Sequence, residues 1–213
     1  MLNNNLPINK TGTTTIGFII KDAVIMATDA RVTSGYFVAN TVGRKLYQLD
    51  DHIAMTIAGT VADAQNVIDI LKYHARMYKI ERGRPIPVSA IARLAANIFF
   101  YNRMYPLQVE SLIGGYDKNG PSLFMVDLFG SLSQEEMAAT GSGSPIALGV
   151  LEDLYNKDIK LDEGIKLAAL AITSAMRRDI ATGNDFNIGI IDARGYRELS
   201  KEEKESLLKN LKI

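Results

Sequence analysis

The chain has 213 residues, no cysteine, two histidines and a formal net charge of zero. That length suits one domain with its own core; the absence of cysteine excludes thiol catalysis, disulfide scaffolds and cysteine–zinc sites, and a neutral balance without a basic tract argues against nucleic acid. Apolar runs such as Leu167 to Ala171 are too short to span a bilayer, and Met1 to Lys10 lacks the charged start and apolar centre of a secretion signal, so a soluble, cytoplasmic protein with a short polar lead is expected.

Gly12-Thr13-Thr14-Thr15 precedes a segment of strand alternation. Ile16, Phe18 and Ile20 fall on one face of it, Thr13, Thr15 and Gly17 on the other. Lys21-Asp22 suits a turn, and Ala23 to Asp29 returns as a second strand. A second hairpin is expected from Lys45 to Leu49, Asp50-Asp51 and His52 to Ala58. Thr60 is a candidate capping hydroxyl for a helix running to about Glu81, and Pro85 and Pro87 lead into another from Val88 to about Tyr105. Strands are expected over Ser111 to Tyr116, Ser122 to Asp127 and Met137 to Thr140. Helices follow from Ser144-Pro145 to Tyr155 and from Asp162 to Asp179. Phe186 to Asp192 and Tyr196 to Leu199 close the sheets, and Lys201 to Leu211 makes a charged terminal helix. Two helix pairs separated by strands suggest stacked sheets with a helix layer on each outer face.

Candidates for chemistry are few. His52, at a hairpin turn, and His74, in mid-helix, read as surface residues rather than as parts of a triad or a metal site. Thr140 to Ser144 lacks the glycine that a nucleophile elbow has after its serine, although its amides open a helix and could face an anion. A threonine becomes a usable nucleophile when it is the first residue, because its own amine then serves as base. For Thr13 that requires cleavage of the Gly12–Thr13 bond. The first hairpin sets Thr14 opposite Asp29, and ideal alternation turns Asp29 away from Thr13 unless a bulge or a strand end re-aims it. Lys45 opens the second hairpin level with Thr56, and Gly59 lies between a strand and a helix start, where a free N–H can face developing negative charge.

Thr13 to Gly17, the run Lys21 to Thr33, Gly43 to Leu46, Met55 to Gly59, Gly114-Gly115, Thr140 to Pro145 and Arg178-Asp179 resemble the proteasome β subunits, above all those of archaeal type. The resemblance covers nearly everything after Gly12 in the same order. It implies the α+β, four-layer αββα sandwich of N-terminal nucleophile hydrolases, a leader of residues 1–12 removed by self-cleavage, and one catalytic domain over 13–213. It makes Thr13 the nucleophile, Asp29 and Lys45 its charged companions, Gly59 an oxyanion donor, and Ser142 and Asp179 members of the cluster around the amine. Thr182 stands where the family usually has serine, keeping the hydroxyl and adding a methyl. Val32, Ile57 and Val61 match the walls of the primary side-chain pocket, and Thr33 would pair main chain to main chain with substrate.

The implied partners are α subunits and other β subunits in stacked heptameric rings, an ATP-dependent unfoldase, and unfolded protein substrates; no cofactor or metal is implied. A two-ring bacterial-type subunit and a non-catalytic ring subunit matured by a partner are the alternatives. The chemistry is coherent in itself: a terminal amine titrates at about 7.7–8.0, a neighbouring lysine lowers the pKa of amine and hydroxyl, and the β-branch restricts the threonine rotamer.

Overall fold

The computed structural model describes residues 12–211. The expected leader thus lies, apart from Gly12, outside the described residues. The first hairpin, β1 (Thr15–Ile20) and β2 (Ala23–Asp29), is the centre of a five-stranded antiparallel sheet. Residues 32–34 (β3) and 37–40 (β4) form a separate small hairpin. Then come β5 (Leu46–Asp50), β6 (Ile53–Gly59), α1 (Val61–Arg82), α2 (Val88–Tyr101), β7 (Val109–Asp117), β8 (Gly120–Val126), β9 (Leu132–Glu135) and β10 (Met137–Thr140). The chain closes with α3 (Ser144–Leu154), α4 (Leu161–Arg178), β11 (Phe186–Asp192), β12 (Gly195–Glu198) and α5 (Lys201–Leu211).

The sheet order is β10-β1-β2-β11-β12 in one layer and β5-β6-β7-β8-β9 in the other, every pair antiparallel. Strand alternation explains the layering. Ile16, Phe18 and Ile20 point outward into a core with α3, α4 and α5, while Ile19 and Met26 point inward between the sheets. On the other sheet Met55, Ile57 and Ile113 meet α1 and α2, and Ala54 and Leu112 face inward. The result is the four-layer αββα sandwich expected.

Three local expectations need correction. Helix α2 stops at Tyr101, short of Tyr105, because the Asn102 side-chain amide donates to the Ile98 carbonyl at 2.8 Å and takes up an end group of the helix. Thr60 occupies the N-cap of α1 without a side-chain bond, and Asp63 of the first turn accepts the Gln108 N–H instead. The second ladder pairs Leu46, not Lys45, with Thr56; the Lys45 carbonyl accepts the Ile57 N–H just beyond the strand.

Candidate active site

Thr13 and Thr14 lie on the approach to β1, where the chain passes from the loop into the sheet and is held from three sides. Gly12 and Thr13 are both buried. The Thr13 hydroxyl donates to the carbonyl of Gly12 at 2.6 Å, and the Gly12 N–H donates to the Thr33 hydroxyl at 3.1 Å. The hydroxyl of Thr13 therefore already touches the peptide bond expected to break.

On one side stands a buried ion pair. Asp29 is the last residue of β2, the β1–β2 ladder carries no bulge, and the carboxylate meets the backbone of Thr14, the residue opposite it, not of Thr13. Its Oδ1 accepts the Thr14 N–H at 3.0 Å and the Lys45 ammonium at 2.7 Å. Its Oδ2 accepts the N–H groups of Arg31 and Gly183 at 3.0 and 3.1 Å. Four donors fix this carboxylate, and the carboxylate fixes Lys45. Burial pushes the Lys45 ammonium below the usual lysine range, opposed by the charge and hydrogen bond of Asp29.

On the other side runs a chain of hydroxyls. The Thr13 N–H donates to Ser142 Oγ at 3.2 Å, and Ser142 Oγ lies 2.6 Å from Asp179 Oδ2 and 3.4 Å from the Thr13 carbonyl. A serine has one proton, and the short contact to a carboxylate claims it. Thr182 likewise donates to Asp179 Oδ2. With that proton committed, the 2.7 Å contact between Thr14 and Thr182 must be a donation from Thr14. Asp179 caps α4, where a carboxylate opposes the helix dipole, and these two hydroxyls supply the compensating partners. The methyl of Thr182 is accommodated in full burial.

Gly12, Thr13, Val32, Thr33, Lys45, Ile57, Gly59 and Val61 line one cleft of only about 20 Å³. The Ile57 N–H points toward the Lys45 carbonyl, and strand alternation turns the Gly59 N–H, two residues on, to the same side. Gly59 has φ +133°, and a Cβ there would lie 1.9 Å from the Gln108 carbonyl oxygen, so the turn admits no side chain. Each of the residues that the resemblance assigned to a site thus falls in this cleft or in the two clusters beside it, whereas His52 and His74 lie elsewhere. Sequence reasoning missed Thr14, Arg31 and Gly183. Arg31 grips the loop after α4 through Asn184 Oδ1 at 2.8 Å and the Ile180 carbonyl at 2.7 Å. No local pattern signals that contact, since the loop it grips is some 150 residues away in sequence.

A family model described as proteasome subunit matches residues 9–191. The chain is 45% identical over 197 residues to proteasome subunit beta 2 of Nitrosopumilus maritimus, covering 92% of this chain and 94% of that protein. It is 47% identical over 203 residues to proteasome subunit beta of Methanocaldococcus jannaschii, covering 94% and 91%. Against proteasome subunit beta of Methanohalophilus mahii the identity is 44% over 202 residues, covering 94% and 96%.

Proposed function

The chain belongs to the proteasome subunit family as a β subunit, and from that premise we propose that it is a threonine endopeptidase made as a precursor. The observation that carries this reading is the 2.6 Å contact of the Thr13 hydroxyl with the Gly12 carbonyl, flanked by the Lys45–Asp29 pair and the Ser142–Asp179 chain.

In maturation, Thr13 Oγ attacks the Gly12 carbonyl carbon. The carbon–nitrogen bond breaks, the Thr13 nitrogen keeps the proton given up by the hydroxyl, and an ester joins Gly12 to Thr13 Oγ. Water hydrolyses the ester, leaving a Gly12 carboxylate, a free Thr13 hydroxyl and a free amine. In turnover that amine takes the hydroxyl proton as Oγ attacks a substrate carbonyl, then passes it to the leaving amine, and water releases the acyl group. Lys45 favours the ionised hydroxyl, the Gly59 N–H faces the developing oxyanion, and Ser142 with Asp179 orients the amine. Val32, Ile57 and Val61 favour an apolar side chain before the cut. Thr33 offers main chain to the substrate strand.

As a proteasome β subunit it assembles with other proteasome subunits. We assign it to heptameric β rings stacked with α rings, fed by an ATP-dependent unfoldase in the cytoplasm, with unfolded chains as substrates. No helix among the described residues is long and apolar enough to cross a membrane. Intact-mass measurement of assembled particles is expected to show loss of Met1 to Gly12, and Thr13→Ala is expected to leave the leader in place. Active particles that keep residues 1–12, or cleavage in Thr13→Ala without another β subunit present, would overturn the reading.

A further inference from the structure

Gly12 is held as carefully as the threonine that follows it. Its N–H donates to the side chain of Thr33 at 3.1 Å, a buried bond between residues 21 apart in sequence. Its Cα is pressed from the other side by the loop after α4: a Cβ built on Gly12 would lie 1.6 Å from the Cβ of Ala181 and 2.9 Å from its Cα. That loop is itself fixed, because Arg31 grips Ile180 and Asn184 on either side, Ala181 N–H donates to Asp179, and Gly183 N–H donates to Asp29. The register of β3 shifts between Val32 and Thr33 at the residue that holds Gly12.

We propose that the Thr33 hydroxyl and the Ala181 methyl form a cradle for the scissile residue, and that both are positioning residues for self-cleavage. The proposal rests on the self-cleavage reading above. A hydroxyl attacking its own preceding carbonyl has little reach, so the carbonyl must be turned to it rather than approached by it. Two contacts on Gly12 do this. The bond from Thr33 fixes the nitrogen side of the Gly12 residue, and the wall at Ala181 fixes its Cα, leaving the carbonyl to lie against Thr13 Oγ. Ala181 also supplies the physical reason for glycine at this position, since any side chain meets its methyl. The leader thereby differs from a substrate strand, for Gly12 spends its N–H on a side-chain oxygen and not on the backbone of β3.

The test follows leader removal by intact mass over time in full-length variants assembled with α subunits and without another β subunit. Thr33→Val, which keeps the shape and removes the acceptor, is expected to slow cleavage about tenfold; Thr33→Ser, which keeps the acceptor, is expected to cleave at near the parent rate. Gly12→Ala is expected to stall, and adding Ala181→Gly is expected to speed that stalled variant at least about tenfold, since it removes the 1.6 Å overlap and leaves only the 2.9 Å approach to the backbone at 181 for a small shift to relieve. Thr33→Val cleaving as fast as Thr33→Ser, or Gly12→Ala gaining nothing from Ala181→Gly, would overturn the cradle. The second pair decides the matter if Thr33→Val does not assemble. Thr13→Ala run alongside separates the two claims: cleavage there removes the self-cleavage reading, whereas arrest there with an indifferent cradle removes only the cradle.

Discussion

Lys45 is the residue where burial and charge compete most openly. Its ammonium is buried against Asp29 at 2.7 Å, with burial lowering its pKa and Asp29 raising it. Under the proposed mechanism the charged form is the active one, so activity that depends on it is present below the folded pKa and lost as pH rises through it. Because that pKa is depressed from 10.5, the alkaline limb of the pH–rate profile is expected below that value. Asp29→Asn removes the group that raises it and is expected to move the limb lower still. In particles with Thr13 already exposed, Lys45→Ala is expected to lower turnover on the order of 100-fold or more, and Lys45→Arg not to restore it, since a forked guanidinium does not fit a space made for an ammonium. A limb at or above 10.5, or near-parent turnover in Lys45→Ala, would exclude this role. What could be read at this scale from sequence was that Thr13, Asp29 and Lys45 belong to one neighbourhood. How they are wired was not, because the direction of the Thr14–Thr182 bond follows only from which protons Asp179 has already claimed.

At the scale of elements, periodicity carried most of the information. The β1–β2 hairpin, β11 and helices α1 to α4 follow directly from apolar spacing and turn residues, because each packs apolar side chains into a continuous core. The β3–β4 hairpin and β9 did not show in the sequence. All four residues of β4 are exposed and β9 has no buried position, so neither carries an alternation to read. Glycines in strands have a legible consequence once the layers are known. A Cβ on Gly114 would sit 2.7 Å from Met26 Sδ and 2.9 Å from Val24 Cγ1 of the facing sheet. Gly114 therefore sets how closely the sheets approach, and Gly114→Val is expected to cost about 1–3 kcal/mol through overpacking. Chemical denaturation of the isolated chain measures it, and an unchanged midpoint would show that the layers separate freely.

The whole molecule leaves apolar surface that its own core does not use. Along α1 the buried positions are Ala64, Val67, Ile68, Leu71 and Ala75, a single stripe facing the second sheet. Tyr73 and Ile80 lie off that stripe, 59% and 76% exposed. Leu71 and Ala75 are thus explained by the core of the monomer, whereas Tyr73 and Ile80 are not. The small hairpin adds Tyr36 and Phe37, and the end of α2 adds Tyr101, Met104 and Tyr105, all exposed. Such surface fits a subunit that functions among neighbours. The cleft gives a second reason for assembly. With Gly12 in place it holds about 20 Å³, too little for a side chain. Under the proposed function, a site that reads the backbone of an added strand discriminates weakly among unfolded chains, and sequestration would supply the selectivity. Peptidase activity toward a hydrophobic fluorogenic peptide is therefore expected in a large complex with α subunits and to be low in the monomer. Size-exclusion fractions assayed for both mass and hydrolysis decide it. Activity that elutes with a species of the monomer's 23.4 kDa, and is absent from any larger one, would leave the exposed tyrosines without the role given to them.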